Sequence, residues 1–73
     1  PIERLGPPVG PLAGEVLRAL EGGEDTCEAI AAALDLGAGA AAATLADLEA
    51  DGYVTCSTLG VYARTLLRPA GPH

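Results

Sequence analysis

Few side chains in this chain can hold a phosphate or read a base edge. The basic residues are Arg4, Arg18, Arg64 and Arg68, with no lysine and a single histidine, His73, at the end. Arg64 and Arg68 stand close enough together to touch one phosphate backbone, and Thr44 is a neutral donor within a helix-forming stretch. Enzymatic chemistry lacks its parts. Ser57 is the sole serine and has no internal histidine to activate it. Glu15, Glu21, Glu24, Asp25 and Glu28 are placed as caps and helix surface, not as a paired acid and base. Gly37-Ala38-Gly39 follows no strand and lacks the lysine of a phosphate loop. A carrier protein would present Asp-Ser-Leu, whereas Ser57 sits in Cys56-Ser57-Thr58. Cys27 and Cys56 are too few and too far apart for a zinc site. They read as small buried hydrophobes in a reducing compartment, with one disulfide as the alternative. The expectation is no catalytic residue, no metal, no cofactor and no small-molecule substrate.

The formal net charge is −6 over 73 residues. Affinity for duplex DNA comes mainly from Lys and Arg neutralising phosphates, so so acidic a chain is a poor autonomous DNA binder. Anionic membrane surfaces also favour basic segments, and no apolar run approaches the roughly 20 residues of a span. No signal peptide is visible. These features point to a cytoplasmic protein without a membrane partner. A chain that opens on Pro1 reads as a module of something longer, or as a processed product.

Three helical segments and a hairpin must position these residues. Pro11 suits a first helical turn, and Leu12, Val16 and Leu20 form a stripe widened by Ala13 and Leu17, which predicts a helix over 11–21. Asp25 with Glu28 has the spacing of a capping box opening a second helix that ends at Leu34 or Asp35. Leu36-Gly37 makes the turn, and a third helix runs over 39–51 with Ala41, Leu45 and Leu48 on one face. Gly52 stops it. Two β-prone runs follow, 53–56 and 61–64, with Gly60 in the turn and 65–67 extending the second strand. The order defines a small α+β winged helix over 11–67, preceded by a proline- and glycine-rich linker (1–10) and followed by a frayed tail (68–73).

In such a fold the third helix reads the major groove. With Ala41, Leu45 and Leu48 turned inward, its outward stripe is Ala40, Ala43, Thr44, Asp47, Ala50 and Asp51. Arg, Lys, Asn and Gln make the strong base contacts, and the stripe holds none of them. Ala40, Ala43, Asp47 and Asp51 therefore suit a protein-contacting surface. Thr44 on the helix, with Arg64 and Arg68 at the wing, are the candidate nucleic-acid contacts. Tyr53 and Tyr62 read as packing residues at the helix–hairpin junction.

Leu45-x-x-Leu48-Glu49-x-x-Gly52-Tyr53-Val54, then Gly60-Val61-Tyr62-x-Arg64, resembles the C-terminal winged-helix domain of the DNA processing protein A (DprA/Smf) family. Val16-Leu17-x-x-Leu20, Ile30-Ala31 and Leu36 match its earlier helices, so the resemblance covers about 11–64. It implies a parent protein whose Rossmann-like core binds single-stranded DNA and helps load the recombinase RecA during natural transformation. It also implies, for the appended domain, duplex binding or protein contacts. Members often carry basic residues early in the wing, where this chain has Thr55, Cys56 and Ser57. The expected role is an accessory module whose partner is the parent's core or a recombinase, with weak DNA contact at most. The competing classes are the DNA-binding domain of a winged-helix transcription regulator, and a structural or oligomerisation module.

Overall fold

The computed structural model describes residues 4–69. In chain order it contains β1 (Arg4–Gly6), α1 (Pro11–Glu21), α2 (Cys27–Leu34), α3 (Ala38–Ala50), β2 (Val54–Cys56), β3 (Tyr62–Arg64) and β4 (Leu67–Pro69). Pro11 opens α1, which buries Val16, Leu17 and Leu20. Ile30 and Ala31 from α2, and Ala41, Leu45 and Leu48 from α3, meet that stripe. Tyr53 and Val54 close the core from below the hairpin, and Tyr53 is its largest fully buried side chain. The chain bends by 117° between α2 and α3, across Asp35, Leu36 and Gly37, which is the geometry of a helix-turn-helix. β2 and β3 pair antiparallel, with Val54 opposite Arg64, Thr55 opposite Ala63 and Cys56 opposite Tyr62. This is an α+β fold of the small winged-helix kind. Among the described residues no single helix is long and apolar enough to cross a membrane.

All three helices end the same way. In each, a residue one or two positions past the cap donates to the carbonyl five positions back: Glu24 to Ala19, Leu36 to Ala31 and Tyr53 to Leu48, at 3.1, 2.8 and 2.9 Å. This is the Schellman closure, which needs a left-handed residue one position earlier. Gly52 supplies it after α3 at φ +89°, as the sequence implies, and Gly23 does so after α1. After α2 the left-handed residue is Asp35, at φ 55°. A side chain there is strained. Asp35→Gly should therefore raise stability by about 0.5 kcal/mol, the relief being partly offset by the freer unfolded chain. Chemical denaturation of the two proteins checks the sign.

Three expectations are corrected. The capping box at Asp25 does not form: Thr26 is the N-cap of α2, its Oγ1 accepting from Ala29 N–H at 3.1 Å. Asp25 stays outside because its carbonyl accepts the Tyr62 N–H at 2.7 Å, tying the α1–α2 loop to the wing. Residues 65–67 do not prolong β3. Thr65 turns the chain instead, its Oγ1 donating to Gly52 C=O at 2.6 Å and accepting from Leu67 N–H at 3.2 Å. The third correction concerns the two ends. Residues 4–6 of the expected linker and 67–69, which straddle the expected start of the tail, pair as a parallel ribbon, with Arg4 opposite Leu67 and Gly6 opposite Pro69. The ribbon is fastened from beneath by Tyr53, whose phenol donates to the Pro7 carbonyl. Ile2 of the linker and residues 70–73 of the tail lie outside the described residues.

Candidate nucleic-acid interface

The outward face of α3 carries Ala40, Ala43, Asp47, Ala50 and Asp51, all exposed, with Thr44 half-buried among them. The Thr44 hydroxyl donates to the Ala40 carbonyl one turn back, at 2.9 Å. Its single proton is thus used within its own helix, and the face offers an approaching phosphate no charged donor. Asp47 and Asp51 add negative charge to it. Asp51 also lines a shallow cleft of about 430 Å³ with Arg4, Gly52, Thr65, Leu66 and Leu67.

Arg64 and Arg68 are anchored elsewhere, on the flank of α1. Arg64 Nη1 donates to Glu21 Oε2, and its Nη2 donates to the Leu67 carbonyl at 3.4 Å. Arg68 Nη1 reaches the same Glu21 oxygen at 2.6 Å. The Arg64 side chain is only 12% exposed, against 37% for Arg68 and 43% for Glu21. The structure therefore brings Arg64 of the wing and Arg68 of the terminal ribbon together, but fastens them to α1 and not to the Thr44 helix. Sequence reasoning missed Glu21, which it assigned to helix surface. One signal was available: Glu21 is the last residue of α1, where the negative end of the helix dipole disfavours a carboxylate. A carboxylate kept there implies a basic partner.

The wing loop is organised by Ser57. Its Oγ accepts from the backbone N–H of Leu59 and of Val61, each at 3.2 Å, and its own N–H donates to the Val61 carbonyl at 2.9 Å. The tip consequently presents Leu59, which is 87% exposed, beside Val61. Leu5 and Leu66 are likewise exposed, at the terminal ribbon. Cys27 and Cys56 are free thiols, both half-buried rather than fully enclosed. Burial of the Tyr62 phenol, and next its hydrogen bond with Cys56, push its pKa above the ordinary value of 10.0. Tyr62 packs against the core, so it belongs to the hairpin base. Among the described residues no three His, Cys, Asp or Glu side chains gather as metal ligands.

Comparisons of the chain with protein-family models, with curated proteins and with solved structures give no match.

Proposed function

We propose that this chain is an accessory winged-helix module of a cytoplasmic DNA-processing protein of the DprA type, acting mainly through protein or intramolecular contacts. The observation that carries the reading is the chemistry of α3. A helix placed as a recognition helix exposes Ala40, Ala43, Asp47 and Asp51 and no cationic side chain. Such a face excludes the phosphate neutralisation on which DNA affinity rests, yet its small residues allow a partner's backbone to approach closely. The exposed Leu59 and Val61 add apolar contact area at the wing. DNA contact is auxiliary and passes through Arg64 and Arg68. The partner is the parent protein's Rossmann-like core or a recombinase.

Fluorescence anisotropy with labelled duplex and single strands tests this. Two arginines neutralise at most two phosphates, so log K should fall with log salt at a slope no steeper than about −2. Binding should be weak at about 50 mM salt, without sequence preference, and lost in Arg64→Ala and in the more exposed Arg68→Ala. Tight, sequence-selective binding by the chain alone would instead make it a regulator's DNA-binding domain.

A further inference from the structure

β1 and the place it occupies are separable. Among the described residues of the strand, Arg4 and Leu5 are exposed and Gly6 has no side chain, so β1 adds nothing to the core of Val16, Ile30, Leu45, Leu48, Tyr53 and Val54. Its hold is through the main chain. Arg4 N–H donates to the Leu66 carbonyl at 3.1 Å, the strand pairs with β4 as far as Gly6, and the Tyr53 phenol donates to the Pro7 carbonyl. A segment held in this way opens at a far lower cost than the domain as a whole.

The place it leaves is selective. The far edge of β4 is closed, because Leu67 N–H donates to Thr65 Oγ1 at 3.2 Å and the Leu67 carbonyl accepts from Arg64 Nη2 at 3.4 Å. A strand can therefore add to β4 only along the edge that β1 takes. It must bring a glycine opposite Pro69, since a Cβ at Gly6 would collide with the Tyr53 hydroxyl. The next residue must turn its carbonyl to that hydroxyl. The arm that carries these features is also built to swing as a unit. Proline fixes its own φ and keeps the residue before it extended, so Gly6-Pro7-Pro8 is stiff. Gly10 follows, uncrowded by any described residue, and is the natural hinge ahead of α1.

We propose that β1 exchanges between copies: the groove beside β4 and Tyr53 accepts the β1 of a second copy, and each Gly6 then lies against the Tyr53 of the other chain. A second copy is the occupant because it brings the same residues 4–7 in the same parallel register, and so repeats every contact of the closed form. Only the Gly10 hinge and the entropy of association differ between two closed monomers and the exchanged dimer. That entropy confines the dimer to high concentration. The exchange rests on the terminal ribbon and not on the function proposed above.

Mixing equal amounts of isotope-labelled and unlabelled whole chain at about 1 mM tests the exchange. Filtered nuclear magnetic resonance spectra should show cross-peaks between the Gly6 Hα protons of one copy and the Tyr53 ring of the other. Copies can trade partners only when their arms let go, so mixed dimers should form no faster than Arg4 N–H opens by hydrogen exchange. Gly6→Ala crowds the arm in either copy's groove and should speed that trade by about tenfold or more. A chain that stays monomeric at this concentration, or a dimer without the cross-peaks, overturns the proposal. So does a dimer that trades copies at the same rate with and without Gly6→Ala, since another surface then holds it. Should Gly6→Ala fail to fold, the cross-peaks alone decide.

Discussion

Replacing Tyr53 by alanine should remove a large part of the stability of this chain at room temperature. Tyr53 is fully buried, and the only other aromatic residue is Tyr62. Large-to-small replacement of a buried aromatic costs about 3–5 kcal/mol, through lost burial and the cavity left behind. A domain of this length has about 4–11 kcal/mol in total. The damage also spreads, since Tyr53 joins elements distant in sequence. Its N–H closes α3 on Leu48, its carbonyl accepts from Thr65 N–H at 3.1 Å, and its hydroxyl holds Pro7. Tyr53→Phe keeps the ring and gives up only the hydroxyl bond, so its cost should be about 1 kcal/mol. Urea denaturation of the three proteins gives the ranking. A Tyr53→Ala protein melting within a few degrees of the parent would show that the ring is not the keystone of this core.

The second large effect comes from the smallest residue. A Cβ added at Gly6 would stand 2.6 Å from Tyr53 Oη, 3.1 Å from Tyr53 Cζ and 3.3 Å from Leu67 Cδ2. The two Tyr53 atoms cannot withdraw easily, because the ring is enclosed and its hydroxyl is held by Pro7. Gly6→Ala should cost about 1–3 kcal/mol, the range of overpacked sites, mainly by lifting β1 off β4. Hydrogen exchange should then show faster exchange of Arg4 N–H, which donates to Leu66 C=O at 3.1 Å, while the helices keep their protection. The cost should shrink in a Tyr53→Phe background, where the nearest atom is gone. Equal cost in both backgrounds would mean that the clash is relieved some other way.

The helical part of the fold was legible because its signals are local. Pro11 and the apolar stripe place α1, and Gly52 places the end of α3 within one residue. The hairpin followed from two β-prone runs around Gly60, each strand beginning one residue later than expected. What stayed hidden depends on partners far along the chain. β1 and β4 are three residues each, border on prolines, and exist only because residues about sixty positions apart lie side by side. Thr26 displaced Asp25 as a cap because the wing claims the Asp25 carbonyl, which no local spacing reveals. The same distance hid the candidate site. Thr44, Arg64 and Arg68 were chosen by type, yet Glu21, 43 and 47 positions away from the two arginines, determines where they point. Residue type named the donors but could not say what they would hold.

Because β1 and β4 run in the same direction, the chain enters their ribbon at one end and leaves it at the other. Tension applied between the two ends would slide the strands past each other lengthwise, loading their hydrogen bonds together instead of peeling them singly. The ribbon would bear that load ahead of the helices and the wing.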